Sequence, residues 1–333
     1  MDVGFGLVTC QQRPDDPRPP GVLYDELLEL AGAAEAAALD SFWVSEHHFT
    51  EDGYLSGVMP ALGAVAGVTD SLEIGTYVAQ VPLHDPVRLA ENAATLDLLS
   101  GGNLTLGLGL GYRPVELSAF GVSADERPAH LTDTVSLLQS AWTPGPLEYD
   151  PTFHPVEPGV TVTPKPVQSP HPPILVGAKA PAAVARAARL GDAWCAPGLM
   201  PLGGIKKRIE HIEEVREENG LDGEFEFYVS RYGFLGDSAE DAWETMREGF
   251  LYGQRKYEQW ADGATTLSRE KRASLREQAL LGAPADIAAE LERIEEALGE
   301  SINFTFRGYH PGLDTGSMVE CITTLGDEVV PTL

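Results

Sequence analysis

Ser41-Phe42-Trp43-Val44-Ser45-Glu46-His47-His48-Phe49 joins an apolar run to a carboxylate, two adjacent imidazoles and an aromatic ring. The run Phe42-Trp43-Val44 has the aromatic and β-branched composition of a strand. The polar cluster then falls at the strand's C-terminal end. Ligands bind there in alternating α/β proteins, whether the sheet is open or closed into a barrel. Side chains alternate faces along a strand. If the strand persists, Glu46 and His48 share one face and His47 points to the other, so one histidine faces a pocket while its neighbour packs. The competing reading is a structural histidine beside a solvated one.

Outward from this stretch the pattern alternates. Apolar or β-branched runs predict strands at 3–10, 42–45, 72–79, 104–110, 173–177, 193–196, 224–234 and 302–307. Segments with helical spacing fall at 23–39, 58–68, 87–99, 182–190, 205–219, 239–252, 284–298 and 317–330. Strand and helix in alternation demand a parallel sheet. Eight such strands favour a closed (β/α)8 TIM barrel over an open sheet, with one domain spanning 1–333. Two segments break the rhythm. Residues 143–172 are proline-rich and predict an extended excursion or hairpin. Residues 257–282 are polar and charged, and either close over the barrel mouth or form a solvated helix pair.

Composition bounds the function. Asp and Glu total 51 against 23 Lys and Arg, a net charge of −28. Such a surface repels nucleic acid and anionic membranes. It also repels itself at low salt, and salt shortens the Debye length to about 3 Å at 1 M. A halophilic, saline cytoplasm is the expected setting. No basic region precedes the apolar run at Val3, as a signal peptide requires, and no run reaches the length of a membrane span. Cys10, Cys195 and Cys321 are odd in number and far apart, which predicts reduced core thiols.

Three constellations bear on chemistry. Gly107-Leu108-Gly109-Leu110-Gly111 fails the dinucleotide fingerprint, because Tyr112 stands where its third glycine is needed. The alternating glycines read instead as a strand requiring close backbone approach. In Val176-Gly177-Ala178-Lys179-Ala180-Pro181 a strand ends in Gly and a helix begins near Pro181. That turn aims N–H groups and a helix dipole at an anion, and Lys179 adds one of only six lysines. A phosphate site and a turn with an exposed lysine both fit. Arg127, beside Asp125-Glu126, reads as a second phosphate ligand or as a surface ion pair. The histidines lack metal-ligand spacing, so no metal is expected.

Taken together the sequence resembles the bacterial luciferase-like monooxygenases. The resemblance rests on Glu46-His47-His48-Phe49-Thr50-Glu51, Gly75-Thr76, Leu89-Ala90-Glu91, Leu96-Asp97 and Ser100-Gly101-Gly102. It continues through Gly111-Tyr112, Phe120-Gly121, Pro164-Lys165-Pro166-Val167-Gln168 and Gly191-Asp192-Ala193-Trp194. It implies a barrel that binds reduced flavin (FMN) at its C-terminal mouth and uses dioxygen to oxidise an aldehyde, alkane or similar small molecule. A separate flavin reductase and a homodimer are the implied partners. On the same resemblance His47 is the catalytic histidine and Glu116 a carboxylate close to the ring. Tyr77, Val78 and Ala79 look like the segment supporting the ring, sometimes through a non-proline cis peptide. Gly109, on the neighbouring strand, is also a cofactor-binding residue on this resemblance, and Gly177, Ala178, Lys179 and Arg127 would hold the flavin phosphate. The chain departs from luciferase where that family's α subunit has a phosphate-binding Arg, here Leu110, and where it has Glu-Ser, here Ala178-Lys179. Other branches use a deazaflavin coenzyme for hydride transfer, and some barrels are non-catalytic flavin-binding subunits.

Overall fold

Short apolar strands separated by helices must bury both faces, and here the sheet does so by curling into a ring. The computed structural model describes residues 1–299 and 302–333. In chain order the strands are β1 (Asp2–Val8), β2 (Ser41–Val44), β3 (Glu73–Thr76), β4 (Ala79–Gln80), β5 (Leu104–Gly109), β6 (Ile174–Gly177), β7 (Ala193–Cys195), β8 (Glu226–Leu235), β9 (Leu280–Gly282) and β10 (Ile302–Arg307). Neighbours follow the order β10-β1-β2-β3-β5-β6-β7-β8, and β10 also pairs with β8, so eight parallel strands close a barrel. The expected (β/α)8 architecture is what the chain adopts. The short β4 and β9 are extensions, pairing with β5 and β8 near their C-terminal ends.

Around the ring lie α1 (Pro20–Ala36), α2 (Val58–Val65), α3 (Pro86–Leu99), α4 (Pro114–Ala119), α5 (Arg127–Trp142), α6 (Pro181–Leu190), α7 (Leu202–Glu218), α8 (Ala239–Asp262), α9 (Arg269–Glu277), α10 (Pro284–Leu298) and α11 (Thr315–Thr324). Proline occupies the first turn of α1, α3, α4, α5, α6 and α10, where its missing N–H costs nothing. Two apolar layers result. The larger fills the space between strands and helices. The smaller, inside the barrel, consists of Leu7, Trp43, Tyr77, Leu175, Ala193, Cys195 and Tyr228, with Val78 against it. Trp43 is its centre, edge-on to Tyr77 and Tyr228 with ring centroids 5.7 and 5.3 Å away.

The predicted third strand, 72–79, is split. Its middle is the cis peptide Tyr77-Val78, which separates β3 from β4. The strand alongside accommodates this through its glycines. A Cβ on Gly107 would lie 1.8 Å from the Thr76 carbonyl oxygen, and one on Gly109 would lie 2.4 Å from Val78 Cγ2. The alternating glycines of β5 therefore serve close approach, as the missing dinucleotide fingerprint suggests.

The two irregular segments differ from each other. Residues 143–173 contain neither helix nor strand and are held at two points by buried carboxylates. Asp97 accepts from the backbone N–H of Val167 at 2.6 Å and from Gln168 Nε2 at 2.6 Å, while Asp133 accepts from Thr152 N–H at 2.6 Å. In the second segment the helix predicted to stop at 252 runs on to Asp262. Gly263 ends it in the left-handed conformation, with its N–H on the Gln259 carbonyl. Tyr257 and Trp260 thus sit on a helix rather than in a loop. All three cysteines are buried and unpaired.

Candidate active site

The C-terminal ends of β2, β3 and β5 bring the sequence's most conspicuous residues together. Just past β2, Glu46 turns inward and is buried. Its Oε1 lies 2.9 Å from His48 Nε2 and 2.9 Å from His84 Nε2, and its Oε2 accepts the N–H of Gln80. Burial alone would raise this carboxyl, but the two imidazoles and the amide outweigh it and take it down to about 2. Burial would likewise lower His84, and the Glu46 charge overrides it and raises the imidazole. Glu46 and His48 therefore form a structural bracket that fixes the strand end.

His47 points the other way. Its Nδ1 lies 2.9 Å from Glu116 Oε1. Glu116 comes from the first turn of α4 and is fully enclosed. The same oxygen accepts the His48 N–H at 2.8 Å and Arg113 Nη1 at 2.7 Å. Burial pushes this carboxyl up, yet His47, the His48 amide and Arg113 together hold it below its ordinary value. A charged Glu116 makes Nδ1 of His47 the donating N–H, so Nε2 is the ring nitrogen free to accept or deliver a proton. Nε2 has no hydrogen-bond partner among the described residues. Four aromatic rings surround the imidazole: Trp260 at 4.8 Å between centroids, Tyr54 at 4.9, Tyr112 at 5.5 and Tyr257 at 6.2. Arg113 lies 4.3 Å from the Trp260 ring, and the hydroxyls of Tyr54 and Tyr257 are 2.9 Å apart.

His47 stands on the boundary of two joined cavities at the barrel mouth. One, of about 450 Å³, is lined by Tyr77, Val78, Gly109, Gly177, Ala178 and Lys179 among others. The other, of about 640 Å³, extends toward Tyr232, Gln254, Tyr257 and Arg307. Val78 projects over a shelf cleared by Gly109 and Gly177. Trp194 Nε1 donates to the Ala178 carbonyl at 3.0 Å and holds the turn before α6 in place. At the wall, Gln80 Oε1 is a buried acceptor with no partner among the described residues.

Of the residues singled out from sequence, His47, Tyr77, Val78, Gly109, Gly177, Ala178 and Lys179 line the first cavity. Glu116 stands directly behind His47. Ala79 turns away into the outer core. Arg127 lies beside the cavity rather than in its wall, and its guanidinium donates to the carbonyls of Gly111 and of Ala124, the latter at 2.7 Å. Sequence reasoning passed over Arg113, Gln80, His84, Tyr54, Trp260 and Arg307. Arg113 carried one local signal, since it stands three positions before Glu116 at a helix start. Gln80 directly follows the singled-out Tyr77-Val78-Ala79 and Trp260 falls in the 257–282 segment, while His84, Tyr54 and Arg307 carried no such signal.

The comparisons bear on the family and the fold. The family described as luciferase-like monooxygenase matches residues 1–301. The flavin-dependent trigonelline monooxygenase, oxygenase component, of Acinetobacter baylyi is 27% identical over 244 residues, 72% of this chain and 66% of that protein. The chain thus spans just under two thirds of that relative's length. The crystal structure of monooxygenase RslO1 from Streptomyces bottropensis superposes with a TM-score of 0.86 at 25% identity, covering 99% of both chains. An F420-dependent secondary alcohol dehydrogenase in complex with an F420-acetone adduct shares the fold, with a TM-score of 0.77 at 19% identity over 99% of this chain and 98% of that one. With a closed barrel and a family match over nine tenths of its length, this chain belongs to the luciferase-like monooxygenase family.

Proposed function

We propose that this chain is the oxygenase of a flavin-dependent monooxygenase, taking reduced FMN from a separate reductase and oxidising a small organic substrate with dioxygen. The observation that carries this reading is the His47–Glu116 pair on the wall of a cavity floored by Val78 and ended by Gly177-Ala178-Lys179. The residues present suit a flavin. Val78 on its glycine-cleared shelf offers an apolar support for a flat ring, and the orphan Gln80 Oε1 offers an acceptor for a ring N–H. Lys179 and the N-terminus of α6 offer positive charge for the phosphate. The bound cofactor supplies the electrons and the oxygen chemistry. The protein supplies the rest. His47 Nε2 holds or moves a proton at the mouth, and Glu116 keeps the ring in the tautomer that leaves Nε2 available. Tyr54, Tyr112, Tyr257 and Trp260 exclude water from that nitrogen.

Support comes also from the relatives, since the two proteins at or above 25% identity described above are named as monooxygenases. A reductase is proposed as a partner because the relative from Acinetobacter is an oxygenase component and β5 lacks a dinucleotide loop. A homodimer is proposed on the family resemblance, with sedimentation at high salt as its check. Among the described residues no helix is long and apolar enough to cross a membrane.

The test is a titration of the purified chain, in high salt, with reduced FMN and with reduced deazaflavin, each followed by air. Tight FMN binding with oxygen-dependent reoxidation altered by the protein is the expected result. Preference for the deazaflavin with no oxygen response would move the function to hydride transfer on the same barrel. Binding of either without any turnover would leave a flavin-binding subunit.

A further inference from the structure

Arg307 is the last residue of β10. Its neighbours Phe304 and Phe306 pack into the outer core, and Arg307 turns inward to line the 640 Å³ cavity. Its guanidinium carbon lies 3.8 Å from the centroid of the Tyr232 ring, and a Cβ on Gly198 would come within 2.5 Å of its Nη1. Among the described residues this guanidinium has no carboxylate partner and no hydrogen bond, and its Nε is sealed from solvent. Gln254, buried on α8 in the same wall, likewise has an enclosed Nε2 with nothing to donate to. Glu258 also lines the cavity, but its carboxylate lies 2.6 Å from Lys271 Nζ. The remaining wall is largely apolar or aromatic, including Leu7, Tyr257 and Ala261.

A half-buried guanidinium lining a cavity and an enclosed amide N–H, both without an acceptor in the protein, leave donors that a ligand's oxygens would satisfy. The guanidinium fork matches a planar, two-oxygen anion, and the amide adds one neutral donor. We propose that Arg307 and Gln254 form the anion-recognition subsite of this chain, and that its substrate is a small organic molecule bearing a carboxylate. This rests on the reading above, in which flavin takes the neighbouring cavity and substrate this one.

The test is calorimetric titration of the full-length chain, flavin-free and FMN-loaded, with benzoate, cyclohexanecarboxylate and hexanoate, each against its primary amide. At least one carboxylate is expected to bind about tenfold or more tighter than its amide, as a charge-assisted pair requires. Arg307→Gln should collapse that preference, and Arg307→Lys should keep part of it, losing the fork but not the charge. If Arg307→Gln does not fold, Gln254→Leu carries the test, weakening the acid by about threefold or more while sparing the amide, as a lost neutral hydrogen bond does. Equal binding of acids and amides, no binding of any acid, or a preference surviving Arg307→Gln each overturns the proposal. So does a loss of about tenfold in FMN affinity confined to Arg307→Gln, which would assign the guanidinium to the flavin phosphate. Failure of the wild-type chain to bind FMN would instead count against the flavin reading, while acid preference in the flavin-free protein would still stand.

Discussion

His47 Nδ1 lies 2.9 Å from Glu116 Oε1, across 69 positions of sequence and two βα units. The carboxylate oxygen that orients the imidazole also accepts Arg113 and the His48 amide. One buried oxygen thus ties the end of β2 to the start of α4. The fold and the proposed proton chemistry meet at that atom, and the first two predictions separate them.

His47→Asn should lower kcat by about 10²–10⁴ with any substrate the wild type turns over, the usual size of a general acid–base contribution. FMN affinity, read from fluorescence quenching, should stay within about threefold, because His47 offers the ring no dedicated contact worth a full hydrogen bond. An unchanged kcat would remove His47 from the chemistry.

Glu116→Ala should destabilise the fold by about 3–5 kcal/mol, since it leaves Arg113 buried without its carboxylate. Glu116→Gln keeps an acceptor and loses the charge, so its urea midpoint should fall between those of the wild type and the alanine variant. Equal midpoints for all three would mean that the cluster contributes nothing to stability.

The two glycines of β5 should respond differently. Gly107→Ala drives a Cβ to 1.8 Å from a backbone oxygen that cannot move alone, so the protein should lose stability or fail to accumulate. Gly109→Ala meets only the Val78 side chain, at 2.4 Å. That variant should fold, with Val78 displaced and FMN bound about tenfold more weakly; a difference of that size is about 1.4 kcal/mol. Unchanged FMN affinity would show that Val78 does not support the ring.

The Glu46–His84 contact should make stability depend on pH from both sides. Glu46 sits at about 2 against an ordinary 4.5, so its contribution is present above 4.5 and is lost as pH falls toward 2. His84 is raised above its ordinary 6.5, so its contribution is complete below 6.5 and is lost as pH rises through the folded value. The stability difference between wild type and His84→Gln should therefore be greatest between 4.5 and 6.5 and shrink on either side. Urea midpoints across that range check it, and a difference independent of pH would refute it.

The net charge of −28 predicts a further dependence on salt. Between about 0.01 M and 1 M the Debye length falls from about 30 to about 3 Å. Thermal midpoints should rise across that range as repulsion is screened. A midpoint that falls or stays level would refute the saline setting.

Sequence alone determined the barrel, because strand and helix periods are local properties and eight of them in alternation leave few ways to bury two faces. It also located the cavity's landmarks, since strand ends, glycine spacing and the Glu46-His47-His48 triplet are written in short stretches. It did not extend α8 past Tyr252, because the polar residues that follow mask an apolar stripe that only packing against the barrel makes visible. Residues 257–282 were open to closing over the mouth, but that Tyr257 and Trp260 do so from a continuous helix was decided by packing. Which histidine faces the cavity depends on where β2 ends. Which arginine matters depends on partners: Arg127 found backbone carbonyls, Arg113 found Glu116, and Arg307 found an aromatic face and no acceptor. A guanidinium's role lies in what closure of the barrel places within about 3 Å of it, and spacing along the chain carries no record of that distance.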